Sequence, residues 1–181
     1  MKPLHCTQCD DKILAMGTVK NSDKVLYLDF DGVVHSDDVF CSAKRGIYIK
    51  TPGRKLFEWM PILDRLLQPY PDVAIVLSTS WVRVRSFEFA KHQLSVPLQA
   101  RVIGATFHRR YMGKESFLAK ARGVQIVEDV QRRQPLSWFA VDDDSDNWPA
   151  GYEDYLVRTD GTQGISAAGV QDAIRTKLET L

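Results

Sequence analysis

Short apolar runs alternate with amphipathic stretches along most of this chain. The strand-like runs begin at Val25, Val73, Val102, Trp138 and Tyr155, and the runs at Val25 and Val73 are apolar at nearly every position. Such runs are typical of strands that are buried on both faces of a parallel sheet. Because helical patterns separate them, the sequence predicts an α/β fold: a doubly wound parallel sheet with helices on both faces.

Four stretches have the apolar spacing of helices. They cover residues 56–67, 84–94, 114–130 and 167–178. Pro61 interrupts the first pattern, so this helix is predicted to start or kink there. The third is predicted to be mainly helical, with a break at Gly123.

The pattern also predicts the domain organisation. Residues 24–181 are expected to form one domain, and residues 1–23 a polar N-terminal leader. A small flap is expected at about residues 35–51, where Gly46–Lys50 alternates as a strand and can pair with Val39–Cys41 as a hairpin. Too few residues separate the predicted strands for a large inserted domain.

The first apolar run delivers two carboxylates into a glycine turn. Residues two apart on an extended chain point to the same side, so Asp29 and Asp31 can act on one centre. Gly32 allows the backbone to turn sharply directly after them. Because ligands of open α/β sheets bind at the carboxyl ends of the strands, this turn is a candidate site.

Two other apolar runs also end in side chains with oxygen atoms that can bind a ligand. The Val73 run ends in the hydroxyls of Ser78 and Thr79, and the Trp138 run ends in Asp142 and Asp143. Clustered carboxylates at strand ends repel one another unless a cation binds or their pKa values rise. Oxygen-only ligands suit a hard cation, so Mg²⁺ is the predicted cofactor.

Three strand ends carrying DxD, Ser/Thr and Asp-Asp, in this order, resemble the haloacid dehalogenase (HAD) superfamily of phosphotransferases. The resemblance implies a HAD-like, Rossmannoid fold in which Asp29 is the nucleophile and Asp31 the general acid and base. Ser78 or Thr79 would bind the transferring phosphoryl group. The implied metal site comprises Asp29 and Asp143, with Asp31 contributing its backbone carbonyl and Asp142 either binding the metal or orienting a ligand.

The superfamily also needs a cation near the nucleophile. Arg122, which precedes Gly123 upstream of the Asp142 strand, fits this place best, and Lys120 and Lys114 compete with it. The planar guanidinium of arginine suits phosphate well.

Finer motifs narrow the resemblance between about Val25 and Ser166. The segments around Phe30–His35, Leu77–Trp81, Arg101–Thr106, Arg122–Gly123 and Val141–Asp143 are similar to a small HAD group associated with RNA repair, found also in "Swiss Army Knife" repair proteins. This resemblance implies a terminal phosphate on a polynucleotide, or a nucleotide, as the substrate. Candidate substrate-binding residues are Trp81, which can stack on a base, Arg83, His35 and Lys114, with Arg109 and Tyr48 as weaker candidates.

An almost capless site favours a bulky substrate, since small metabolites usually need better enclosure. A small-metabolite phosphatase, a protein phosphatase and a non-catalytic module that binds Mg²⁺ or a partner remain alternatives. The intact carboxylates argue against the last, because a scaffold has no need for such repulsion.

Composition adds few constraints. The formal net charge of +1 indicates no general attraction to nucleic acid or membranes, and no obligate protein partner is evident. Three cysteines argue against a disulfide framework, and Cys6 with Cys9 form at most half of a zinc site. No signal-peptide core or membrane-length apolar run is seen, so a cytoplasmic location is expected.

Overall fold

The computed structural model describes residues 22–181, which are built around a five-stranded sheet. The strands are β1 (Lys24–Leu28), β2 (Val39–Ser42), β3 (Gly46–Ile49), β4 (Ala74–Leu77), β5 (Val102–Ala105), β6 (Ser137–Asp142) and β7 (Leu156–Arg158). The main sheet has the order β5-β4-β1-β6-β7, and every neighbouring pair is parallel. The fold class predicted from the sequence is therefore confirmed. The predicted leader, including Cys6 and Cys9, lies almost wholly outside the described residues.

Strand β1 occupies the centre of the sheet because both of its faces are apolar. Leu26 and Leu28 pack into one hydrophobic cluster, whereas Val25 and Tyr27 pack into a second cluster on the opposite face. The period of two along a strand produces this division. As the neighbour of both β4 and β6, β1 brings its carboxyl end next to theirs.

Seven α-helices accompany these strands in the described chain. They are α1 (Met60–Leu67), α2 (Trp81–Val84), α3 (Phe87–Lys91), α4 (Val96–Arg101), α5 (Lys114–Leu118), α6 (Arg122–Arg133) and α7 (Ala168–Thr180). Helix α1 begins one residue before Pro61, as the prediction of a start there requires. No described helix is both long and apolar enough to cross a membrane.

The single helix predicted over residues 84–94 is wrong. In the structure α2 ends at Val84 and α3 spans Phe87–Lys91, while α4 begins at Val96, and a serine precedes both α3 and α4. Ser86 accepts a hydrogen bond from the backbone amide of Phe89, and Ser95 accepts one from that of Leu98. A serine whose side chain caps a helix in this way starts a new helix instead of continuing the previous one.

The break predicted at Gly123 lies earlier in the chain, between α5 and α6. Gly123 belongs to the first turn of α6, and its lack of a side chain serves close packing. A Cβ atom there would lie 2.5 Å from Pro149 Cδ and 2.7 Å from Trp148 Cδ2. The glycine therefore lets the loop after β6 lie against the start of α6.

A buried polar network fixes α6 to the central strand. The hydroxyl of Tyr27 donates to Asp129 Oδ2 (3.1 Å), and Arg133 Nε donates to the same oxygen (2.5 Å). Arg132 Nη2 donates to Asp129 Oδ1 (2.6 Å). Burial raises the pKa of Tyr27, and the charge of Asp129 raises it further, so the phenol stays protonated as a donor. The network holds α6, and with it Arg122 at its start, in a fixed position over β1.

Strands β2 and β3 form the predicted antiparallel hairpin between β1 and α1. Phe40 and Tyr48 face each other across it with ring centroids 6.2 Å apart. Nothing larger is inserted between these elements, which agrees with the expectation of a minimal cap.

Candidate active site

Three aspartates meet where β1 and β6 end. Asp29 follows β1, Asp142 ends β6 and Asp143 comes next, and each offers a carboxylate oxygen within 4.8 Å of the others. The amide of Asp29 donates to the carbonyl of Val141 (3.2 Å), which extends the pairing of the two strands up to the acidic residues. Parallel strands in register therefore place these side chains together.

The turn after β1 packs directly on Asp143. Gly32 has a φ of +68°, a left-handed conformation that glycine adopts readily. A Cβ atom on it would lie 2.3 Å from Asp143 Oδ2. The hydroxyl of Thr159 donates to the carbonyl of Gly32 (2.7 Å) and fixes the turn from the side of β7. Gly32 is thus needed for its conformation and for the close approach of the third carboxylate.

Arg122 lies between two of these carboxylates. Its Nη2 atom is 3.2 Å from Asp29 Oδ2, its Nε atom is 3.4 Å from Asp142 Oδ2, and its Nη1 atom donates to the carbonyl of Ser78. Burial acts to lower the pKa of Arg122, but the charges of Asp29 and Asp142 outweigh this effect and raise it. The guanidinium is therefore permanently charged and contacts the ends of all three strands.

The other two candidate cations lie elsewhere. Lys120 forms an ion pair with Glu128 (2.6 Å). Lys114 is the first residue of α5 and has no ion pair with a described residue. Of the three candidates for the cation beside Asp29, only Arg122 contacts this carboxylate within the described chain.

Burial raises the pKa of each aspartate of the cluster. The pKa of Asp143 rises to about 6 through burial and the nearby charge of Asp29. The pKa of Asp142 is raised well above its usual value by the same two causes. The pKa of Asp29 is raised by burial, although Arg122 opposes this shift. The carboxylates therefore hold a concentrated negative charge that one arginine neutralises only in part.

The donor set fits a hard divalent cation. All three residues supply oxygen, which Mg²⁺ prefers. Asp142 Oδ2 is buried and accepts no hydrogen bond from a described residue, although Arg122 lies near it. A buried carboxylate oxygen without a hydrogen bond is costly unless a cation contacts it. Asp31 does not place its carboxylate in this group, and a contribution of its backbone carbonyl stays a prediction.

The two hydroxyl residues after β4 have different surroundings. Thr79 donates a hydrogen bond that acts to lower the pKa of Asp29, and its Oγ1 accepts from the amide of Trp81 (3.3 Å). The hydroxyl of Ser78 is buried and has no described hydrogen-bond partner, while the Ser78 amide donates to the carbonyl of Leu28 (2.9 Å). Thr79 is therefore the hydroxyl that faces Asp29.

Asp31 is held by two buried rings. Trp81 Nε1 donates to Asp31 Oδ1 (2.9 Å), and His35 Nε2 lies 3.1 Å from the same oxygen. Because both contacts engage Oδ1, the second carboxylate oxygen remains available. The Asp31 side chain is 28% exposed, whereas that of His35 is fully buried.

The structure corrects the substrate-binding roles predicted for Trp81 and His35. Trp81 is 2% exposed and packs edge-on against Phe30 and Phe57 at 5.7 and 5.3 Å, so its ring has no free face for a base. His35 packs 4.8 Å from the ring of Phe57. Their polar nitrogens point to Asp31 instead. One sequence signal could have indicated the contact with Asp31. Trp81 follows Ser78 and Thr79 closely, so it lies near the end of β4, which is next to the end of β1.

For the phosphatase activity that the sequence resemblance implies, we expect Trp81→Phe to reduce kcat about 10-fold and to leave KM nearly unchanged. Phenylalanine retains most of the packing but removes the donor that orients Asp31. The measurement is steady-state phosphate release together with thermal unfolding. Trp138→Phe is the matched control, because Trp138 packs in the opposite hydrophobic cluster. An equal loss of kcat in the control would contradict the orienting role.

A small cleft opens beside the cluster, with a volume of about 210 Å³. Thr79, Arg122 and Asp144 line it, together with Arg83 and Phe107. Arg83 therefore lies close to the cluster, and its role in substrate binding stays a prediction, whereas Lys114 does not line the cleft.

The strand order and the polar residues at the ends of β1, β4 and β6 define a domain of the HAD type. Residues 25–170 match the family described as the HAD domain in Swiss Army Knife RNA repair proteins, and the chain belongs to this family. Membership supports a phosphatase or hydrolase activity in general terms, and the family's usual use of Mg²⁺ agrees with the cluster of aspartates. No curated protein and no solved structure is significantly similar to the chain.

Proposed function

We propose that this chain is a Mg²⁺-dependent phosphatase that hydrolyses a phosphate monoester through an aspartyl-phosphate on Asp29. The observation that carries the proposal is the placement of Asp29 beside Arg122 and within reach of Asp142 and Asp143. A buried nucleophile next to a cation and two further carboxylates is an arrangement suited to phosphoryl transfer.

In the first step, a carboxylate oxygen of Asp29 attacks phosphorus and the bond to the leaving oxygen breaks. The leaving oxygen takes a proton from Asp31, whose contacts with Trp81 and His35 engage only Oδ1 and leave Oδ2 for this role. In the second step, Asp31 takes a proton from water, the water oxygen attacks phosphorus, and inorganic phosphate leaves Asp29. Each bond that forms is matched by one that breaks, and Asp31 regains its proton.

The remaining residues stabilise charge. Asp29, Asp142 and Asp143 would hold Mg²⁺, which supplies positive charge that offsets the repulsion between the nucleophile and the phosphoryl oxygens. Arg122 orients Asp29 and presents a charged donor to the phosphoryl group. Thr79 donates its hydroxyl to a phosphoryl oxygen once substrate is bound.

The proposed substrate is the phosphorylated end of a nucleic acid, or a nucleotide. The family occurs in RNA repair proteins, and repair of a strand requires chemistry at its ends. The cleft beside Asp29 is small and borders a second opening in place of a closed cap. Such a site admits the end of a long chain.

The test is release of inorganic phosphate from p-nitrophenyl phosphate and from oligonucleotides phosphorylated at the 5′ or the 3′ end. The expected result is release that needs Mg²⁺, stops with EDTA and prefers an oligonucleotide. Preference for small phosphate esters over every oligonucleotide would overturn the nucleic-acid substrate. Absence of release from every ester, by folded protein that still binds Mg²⁺, would overturn the phosphatase.

The pH dependence of stability follows from the raised pKa values. The folded protein binds protons at the cluster more tightly than the unfolded chain does, with Asp143 titrating near 6 instead of 3.8. Metal-free protein is therefore expected to lose stability as the pH rises from about 4 to about 6. Mg²⁺ needs deprotonated ligands, so the increase in Tm that it causes should be larger at about pH 7.5 than at about pH 5.

Thermal unfolding with Mg²⁺ and with NaCl of equal ionic strength measures this effect. Asp143→Asn is expected to reduce the Mg²⁺-dependent increase in Tm, while Asp146→Asn, an exposed neighbour, should not. A Tm increase that is the same at both pH values and in both variants would contradict metal binding by the cluster.

A further inference from the structure

A second and larger pocket adjoins the cleft of the candidate active site. Its volume is about 410 Å³, and we call it the arginine pocket. It is lined by Val82, Arg83, Arg85, Ser86, Phe87, Ile103, Gly104, Ala105, Phe107, His108, Arg109, Arg110 and Tyr111. Four arginines border it, and no aspartate or glutamate is among its described lining residues.

The arginines of this pocket are not neutralised within the described chain. None of Arg83, Arg85, Arg109 and Arg110 forms an ion pair with a described carboxylate. Burial lowers the pKa of His108, so this ring adds no charge at neutral pH. The overall net charge of +1 makes such a concentration of positive charge a local feature that suits an anion.

Aromatic surface accompanies the charge. Tyr111 is 64% exposed at the rim, and the guanidinium of Arg110 lies 5.7 Å from its ring centre. Phe87 and Phe107 also line the pocket. Arginines and an exposed aromatic ring are the two kinds of group that bind single-stranded nucleic acid, because the arginines bind phosphates and the ring stacks on a base.

The arginine pocket is continuous with the candidate active site. Arg83 and Phe107 line both the pocket and the cleft that contains Thr79 and Arg122. A chain whose terminal phosphate reaches Asp29 therefore has a route past Arg83 into the pocket. An acidic peptide would satisfy the arginines but would leave the exposed ring of Tyr111 without a stacking partner.

We propose that the arginine pocket binds the nucleotides that adjoin the terminal phosphate of a single-stranded nucleic acid. This inference rests on the proposed function, since it assigns the substrate chain of the same site. Arg83, Arg109 and Arg110 bind backbone phosphates, and Tyr111 stacks on a base. The pocket thereby selects a polynucleotide end over a free phosphate ester.

The test measures binding without turnover, in the Asp29→Asn background. Fluorescence anisotropy gives the Kd of RNA hexanucleotides phosphorylated at one end and labelled at the other. The double variant Arg109→Ala, Arg110→Ala is expected to raise Kd at least about 10-fold. For this variant, the slope of log Kd against log salt concentration should become shallower by about 1.4, which is about 0.7 for each of the two lost phosphate contacts.

The matched control is the double variant Arg65→Ala, Arg175→Ala, which removes the same charge from another cleft, next to α1 and α7. It is expected to change Kd less than about twofold. Tyr111→Ala is expected to raise Kd at least about fivefold without changing the salt dependence, because stacking carries no net charge. With Asp29 intact, the Arg65→Ala, Arg175→Ala control should hydrolyse p-nitrophenyl phosphate at the rate of the unmodified protein.

Equal Kd values for the two double variants would overturn the proposal. Competition by hexaglutamate as effective as competition by unlabelled RNA would overturn it as well, since the pocket would then bind acidic protein. Because binding is measured without turnover, a chain that proved inactive on every ester would refute the phosphatase but would leave the result for RNA binding readable.

Discussion

Asp29→Asn is expected to reduce phosphate release at least about 1,000-fold. Asparagine has nearly the shape of aspartate, but its amide cannot attack phosphorus. The change also removes one of three mutually repelling carboxylates, so the fold should be retained. Stopped-flow or discontinuous phosphate assays, with thermal unfolding of the same samples, measure both effects. In the Asp29→Asn variant, the charge of Arg122 remains paired with Asp142.

Asp146→Asn is the control for this variant. It makes the same chemical change at an exposed position close behind Asp142. Its activity should stay within about twofold of the unmodified protein. Substantial residual release by Asp29→Asn, with unchanged dependence on Mg²⁺, would contradict an aspartyl-phosphate and would point to direct attack by water.

Arg122→Met is expected to lower kcat/KM by about 100-fold or more, comparable to the loss of one donor to a developing anion. Methionine fills much of the volume but removes the charge that contacts Asp29 and Asp142. The kcat/KM of Arg122→Lys should lie between those of the unmodified protein and Arg122→Met. A lysine keeps the charge but cannot reach two carboxylates and the Ser78 carbonyl together.

The stability of Arg122→Met provides a second measurement. Without the arginine, the pKa values of Asp29 and Asp142 rise further, because burial and mutual repulsion are no longer opposed. A carboxyl whose pKa is raised in the folded protein lowers the stability of the fold as the pH increases. The Tm of Arg122→Met should therefore fall further below that of the unmodified protein at about pH 8 than at about pH 5. Lys120→Met is the control, since Lys120 pairs with Glu128 instead. Equal losses in the two variants would contradict the role of Arg122.

The meeting of three strand ends was predictable from the sequence because it follows from topology. Apolar runs on both faces mark β1, β4 and β6 as strands buried in a parallel sheet, and the carboxyl ends of such strands share one edge. The order of acidic and hydroxyl residues after these runs then placed Asp29, the pair Ser78 and Thr79, and Asp142 together, without deciding between the two hydroxyls. No detail of packing was needed for this step.

The local interruptions were harder to predict. The division of residues 81–101 into three helices depends on whether Ser86 and Ser95 cap a helix or lie within one, and both outcomes are compatible with the same composition. The break before α6 likewise depends on where the helix begins. A shift of one residue turns a side chain by about 100°, so Arg122 could not be separated from Lys120 before the helix start was known.

The roles of Trp81 and His35 depend on contacts that the sequence pattern does not record. A tryptophan next to a strand end can present its ring to solvent or bury it. Here Phe30 and Phe57, from two other segments, enclose the ring and leave its nitrogen directed at Asp31. Such an arrangement is set by tertiary packing and not by periodicity.

The central position of β1 also determines when the site can exist during folding. Asp29 precedes Arg122 by 93 positions, and β6 with its carboxylates comes later still. Contacts between segments so distant in sequence form late, since closing long loops is slow. A growing or refolding chain therefore carries the proposed nucleophile from the start, but its candidate active site is incomplete until β6 pairs with β1. Recovery of activity should consequently lag behind recovery of helical signal.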